Sequence, residues 1–195
     1  MHHPSSSIST KAKIGKNTIL GPHSIISENV EIGDDCEIGP FVFVGPNVEI
    51  GNRCRISTGV IIGGEPQDKS YKGEKSWVVI GNENVIREYT TITRATGKAE
   101  KTIIGNRNYI MTYVHVAHNV KIGNDVVITS GAQLGGHVEI QDFVTIGGLV
   151  GIHQFCRVGK LAMVGACSYL SKDFPSFFIG RGNPCLLYTS DAADE

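Results

Sequence analysis

The sequence predicts an all-β solenoid, a left-handed parallel β-helix wound as a triangular prism. Three observations carry this: aliphatic residues recur every sixth position, glycines follow many of them directly, and no helical period competes. Ile8, Ile14, Leu20, Ile26, Ile32, Ile38, Val44, Ile50, Ile56 and Ile62 form the first series, and Gly15, Gly21, Gly33, Gly39, Gly45, Gly51 and Gly63 follow seven of them. It resumes at Ile80, Ile86 and Ile92. From Ile104 it steps through Ile110, Val116, Ile122, Ile128, Leu134, Ile140, Ile146, Ile152, Val158 and Val164 to Leu170.

A period of six is neither the 3.6 of a helix nor a long strand alternating at two. It fits short strands joined by bends, with aliphatic side chains inward and Gly or Asn expected where the backbone turns. Cys36, Val48, Cys54, Val60, Val126, Ala132, Cys156, Ala162 and Ser168, two positions before core aliphatics, keep the bends small or β-branched. One hexad cannot bury its own apolar face, so stability comes from stacking coils, as in other solenoids. Three hexads close an 18-residue turn, a geometry that departs from the usual right-handed crossover.

Two stretches break the phase. Asp68 and Glu74 fall where aliphatics belong, and unpaired acids cannot fill an apolar core. Residues 64–77 are therefore expected as a loop thrown out of the prism, and residues 94–101, with Lys98 at a core position, as a second. Regular solenoids present featureless walls, so such excursions are where specificity is built.

The remaining composition narrows the function. A net charge of −1 gives no field for nucleic acid, and no apolar run is long enough to span a bilayer. Five irregularly spaced cysteines suit reduced thiols and a cytoplasmic location. Cys185 to Glu195, "CLLYTSDAADE", breaks the pattern and reads like a translated transposon-end adaptor. Residues 1–184 are expected to be the native β-helix domain and 185–195 a non-native tail.

Subtracting 18 aligns the coils. His118 falls under Gly136 and Gln154, His115 under Gln133, and His137 and His153 flank the same register. At about 4.8 Å per coil these histidines climb one edge of the prism over roughly 10 Å. One prism edge is convex and makes a poor pocket, so a cleft is expected where identical prisms pack side by side as a homotrimer. Two chemistries compete for the cluster. Three imidazoles could hold zinc with an open position for water, as in hexapeptide-repeat carbonic anhydrases, although the H-x-x-H spacing of His115 and His118 differs from theirs. Alternatively a neutral imidazole takes a proton from a hydroxyl attacking an activated acyl group, with N–H donors of the Gly135–Gly136 turn holding the oxyanion. No Ser–His–acid constellation lies nearby, which favours direct transfer over a covalent intermediate, and no cofactor or metal is expected.

The motifs "PQD…YKGE", "IRE", "HVAHN", "GGHV", "GGLVGIHQFCRVG" and "MVGACS" together resemble the acyl-[acyl-carrier-protein]–UDP-N-acetylglucosamine O-acyltransferases, which open lipid A synthesis. The resemblance runs from about His3 to Pro184. It implies His118 as catalytic base and the Gly136 N–H as oxyanion donor. It implies Asp68, His115, His137, His153 and Gln154 as substrate contacts, and Ala166 as a gauge of acyl-chain length. The implied partners are acyl carrier protein, UDP-N-acetylglucosamine and two further copies of the chain. A variant acylating a 3-amino sugar nucleotide, the sibling N-acyltransferase of the pathway and a non-catalytic β-helix scaffold are the alternatives. Three departures stand out. Asn119 replaces the family's usual Asp, Ser70 its loop lysine (with Lys69 and Lys72 beside it), and Thr93 the His of an "IHR" motif that keeps Arg94. The family's basic segment and helical domain after "GRGNP" are missing, so the chain is expected to be truncated.

Overall fold

The computed structural model describes residues 2–188 and is the expected left-handed β-helix. Among the described residues, twenty-seven short strands stack into three sheets. The first face runs from Ser7–Ile8 through His115–Val116 and Gln133–Leu134 to Tyr169–Leu170, and the second from Lys13–Ile14 to Arg157–Val158. The third runs from Ile19–Leu20 to Met163–Val164 and Ile179–Arg181. Pairing is parallel throughout except where Leu186–Tyr188 folds back antiparallel on Ile179–Arg181. The Leu186–Tyr188 strand falls within the expected tail; residues 189–195 lie outside the described residues. No described helix is long and apolar enough to cross a membrane.

The expected aliphatics fill the core. Ile62, Ile86, Ile92, Ile110, Val116, Ile128 and Ile146 are completely buried. Each such side chain contributes about 1.5–3 kcal/mol through lost apolar exposure. The bends correct one expectation. Gly15 does not make the turn: it follows Ile14 where coils pass closest, and a Cβ there would lie 2.4 Å from the Gly33 carbonyl carbon. The left-handed residue comes two positions later, at Asn17 and then at Asp35, Arg53, Tyr113, Asn119, His137 and Phe155. Holding a non-glycine there costs roughly 1–2 kcal/mol. Ring stacking between successive bends, Tyr89 on Tyr113 at 5.4 Å and His137 on Phe155 at 4.6 Å, offsets part of it at about 0.5–1.5 kcal/mol a pair.

The three edges differ in chemistry. Between the second and third faces, Asp34, Asn52, Asn82, Asn106, Asn124 and Asp142 form a ladder. Each side-chain oxygen accepts the backbone N–H one coil below, at 2.7–2.9 Å. Between the third and first faces lies an apolar edge exposing Phe41, Tyr89, Tyr113 and Leu149. The edge between the first and second faces carries both loops. From Asn52 to Asn82 a coil takes 30 residues instead of 18, and from Asn82 to Asn106 it takes 24. Both excess lengths are whole numbers of hexads, so the core regains phase after each loop.

The loops lock together over this edge. Glu74 accepts the Gly97 N–H through Oε1 and the Lys72 N–H through Oε2, both at 2.8 Å. Ala99 N–H donates to Lys75 O, and Trp77 N–H to Glu100 O. The buried Arg94 donates its backbone N–H to Gly64 O and its Nη2 to the Tyr71 hydroxyl. Glu74, an acid at a core register, thus leaves the core to cap backbone donors of the second loop.

Candidate active site

His115 lies at the end of the first face, paired with Thr91 below and Gln133 above. His118 follows in the bend, its side chain only 13% exposed. Above it the absence of a side chain at Gly136 leaves room for the imidazole: a Cβ there would sit 2.6 Å from Cε1 and Nε2 of His118. The edge of the His118 ring meets His137 at 5.3 Å between centroids. His115, His118, Gly135, Gly136, His153 and Gln154 line one groove of about 440 Å³ on the first face. The first loop brings Gln67, Asp68 and Lys69 over His118, His137 and Gln154, enclosing a further 340 Å³. Lys69, rather than Lys72, is thus the loop lysine at the site. The expected residues converge with one exception: Ala166 is exposed on the apolar edge, between Met163–Val164 and Tyr169–Leu170.

The two nitrogens of His118 have different surroundings. Nε2 faces Asp68 Oδ2 at 3.8 Å, close enough for an ion pair but too long for a hydrogen bond. A backbone bond from Ser70 N–H at 2.8 Å, followed by the Ser70 side chain, holds the Asp68 carboxyl below its ordinary range, so it is ionised at neutral pH. Nδ1 lies 2.9 Å from Asn119 Oδ1 and 3.1 Å from Thr96 Oγ1. The Gly136 N–H donates to nothing among the described residues, and Gly136, though buried, lines the groove. His153 is exposed, with Nδ1 3.1 Å from the Gln154 carbonyl, and the His115 Nδ1 pairs with the Thr91 hydroxyl at 2.7 Å. No group of three or more His, Cys, Asp or Glu side chains converges as metal ligands among the described residues. The rings are instead engaged with one another and with hydroxyl, amide or carbonyl partners.

Burial, and secondarily the neighbouring His118, depress the proton affinity of His115 and His137 below the ordinary 6.5. Both are neutral in the fold at neutral pH, whereas the unfolded chain protonates them near 6.5. Below that pH the unfolded state binds more protons, so stability is full above 6.5 and falls as pH drops towards the folded values. Denaturant midpoints measured from pH 8 down to 5 should decline. A His115→Gln, His137→Gln double variant should decline less over the same range, and an identical decline would rule these histidines out as the cause.

Several participants escaped sequence reasoning. Thr96 and Glu74 act across loop-to-loop contacts that no period reveals. Phe155 was detectable in principle, because it shares His137's register one coil on.

A β-helix of hexapeptide repeats with a His–Asn–Gly constellation under an extruded loop points to the hexapeptide-repeat class of proteins. The family model "Bacterial transferase hexapeptide (six repeats)" matches residues 11–45, 29–64 and 101–136. UDP-N-acetylglucosamine acyltransferase from Francisella novicida superposes with a TM-score of 0.95 at 38% identity, covering 96% of this chain and 70% of that one. The Bacteroides fragilis enzyme gives 0.93 at 39%, covering 96% and 74%. An acyl-[acyl-carrier-protein]–UDP-N-acetylglucosamine O-acyltransferase of Synechocystis is 48% identical over 120 residues, 62% of this chain and 44% of that relative. The chain belongs to the UDP-N-acetylglucosamine acyltransferase family. It spans about half the length of the curated relatives it matches.

Proposed function

We propose that this chain transfers a (3-hydroxy)acyl group from acyl carrier protein to the 3-hydroxyl of UDP-N-acetylglucosamine by direct general-base catalysis. The observation that carries the reading is the His118 Nε2, facing the loop acid beside the unpartnered N–H of Gly136. Nε2 takes the proton as the sugar hydroxyl attacks the thioester carbonyl, forming the C–O bond. The Gly136 N–H holds the carbonyl oxygen as it becomes negative. Collapse breaks the C–S bond, and the departing thiolate recovers the proton from Nε2. Asp68 and Lys69 are placed to bind the sugar nucleotide, and His115, His137, His153 and Gln154 line the path of the substrates.

A homotrimer accords with the surface. The site edge is open, and the apolar edge exposing Phe41, Tyr113 and Leu149 is suited to pack beside a neighbour's site. Ala166 on that edge would then border the acyl chain of the adjacent subunit. Replacing it with glycine should shift preference towards longer acyl donors, measured over a ladder of chain lengths; an unchanged preference would remove Ala166 from that role.

Incubation with hydroxyacyl carrier protein and UDP-N-acetylglucosamine should release free carrier thiol and an O-acylated nucleotide in equal amounts. Absence of product even at stoichiometric protein would sink the reading. Transfer only to the 3-amino analogue would reassign the acceptor.

A further inference from the structure

The side chain beside the base is an amide, and an amide can face it in two ways. If Asn119 presents Oδ1, the His118 Nδ1 must carry the proton and Nε2 is left with a lone pair. If Asn119 presents its NH₂, the proton moves to Nε2 and the imidazole cannot accept another. A carboxylate has no such ambiguity, so this chain must fix the amide by other means.

Thr96, in the second loop, does so. Its backbone N–H donates to Asn119 Oδ1 at 2.9 Å, while its carbonyl accepts from Asn119 Nδ2 at 3.1 Å. Rotating the amide would set donor against donor and acceptor against acceptor at both contacts, leaving buried polar groups unsatisfied. Asn119 is only 8% exposed, so water offers little relief. The Thr96 hydroxyl also donates to Asn119 Oδ1 at 3.0 Å, leaving its own lone pair towards Nδ1 at 3.1 Å. Both neighbours of Nδ1 are then acceptors.

We propose that Thr96 is a positioning residue: its peptide groups orient the Asn119 amide, and through it hold His118 as the Nδ1–H tautomer. The device makes the base depend on the docking of residues 94–101. That docking rests in part on Glu74, whose Oε1 accepts the Gly97 N–H at 2.8 Å. Freeing the loop lets the amide turn and disarms His118, with no change at His118 itself. The inference rests on His118 being the base of the proposed transfer, but the tautomer is measurable without substrate.

The test combines Glu74→Ala and Asn119→Asp in a double-mutant cycle, with Glu74→Gln retaining one oxygen to accept the Gly97 N–H. Imidazole ¹⁵N shifts of histidine-labelled protein at pH 8 should show His118 as Nδ1–H in the unmodified chain. Glu74→Ala should introduce the Nε2–H form and lower kcat by about tenfold or more, whereas Glu74→Gln should do neither. With Asn119→Asp, Glu74→Ala should leave the tautomer as Nδ1–H and change kcat less than about threefold. An Nε2–H tautomer in the unmodified chain overturns the inference, as does an equal kcat loss in both backgrounds. A tautomer shift in a chain that transfers no acyl group supports the clamp and refutes the proposed function alone.

Discussion

Replacing His118 with alanine is expected to lower kcat by on the order of 10²–10⁴-fold while leaving KM for the sugar nucleotide within a few-fold. The side chain lies outside the aliphatic core, so no core packing is lost. Its Nδ1 partners, Thr96 and Asn119, already bond one another and stay satisfied after truncation. What disappears is the imidazole whose Nε2 faces Asp68 at 3.8 Å directly below Gly136. Without it the attacking hydroxyl must shed its proton to water, and the departing thiolate must recover one from water. Steady-state transfer assays beside thermal melts separate the two effects: the melting curve should stay put as turnover collapses. Retained turnover would refute the mechanism, and a lowered melting temperature would show that the ring braces the loops.

The coil architecture was legible because every sixth side chain must be apolar to fill a prism. Asp68, Glu74 and Lys98 exposed the loops by violating that rule. Register arithmetic then stacked His118 beneath Gly136 before any coordinates were needed. It failed where the deciding contacts run between loops, which keep no register. Thr96 looks like one more polar loop residue until its peptide is seen gripping Asn119. Asn119 itself looked like a lost charge, whereas its two-sided amide bridges base and loop in a way a carboxylate cannot. The glycines misled in a different manner. Their spacing suggests turns, but at Gly15 the constraint is the backbone of the next coil, and the turn falls on Asn17.

Gly136→Ala should be nearly as damaging as loss of the base, for a reason the neighbouring Gly135 makes plain. Gly136 does not have a positive φ, so its backbone tolerates alanine without conformational strain. The added methyl, however, would lie 2.6 Å from both Cε1 and Nε2 of His118, inside any permitted contact. The ring cannot simply slide away, since its Nδ1 is held by Thr96 and Asn119 and its edge meets His137. Either the imidazole swings out of line with Asp68 or the bend shifts and carries the Gly136 N–H with it. Each outcome misplaces one of the two groups that must act on the same carbonyl centre. A displacement of about 1 Å costs on the order of 10²-fold, and losing an oxyanion donor about 10²–10³-fold. The clash involves a mostly buried ring outside the aliphatic core, so overpacking should lower unfolding free energy by about 1–3 kcal/mol without disrupting the coil stack. At Gly135 a methyl would instead strike the Gln154 backbone N at 2.7 Å, so Gly135→Ala should destabilise the coil stack itself. Paired denaturation and transfer assays decide it: an inactive but folded Gly136→Ala beside a more strongly destabilised Gly135→Ala is the expected pattern. Full turnover in Gly136→Ala would show that the Gly136 turn above His118 has no part in the reaction.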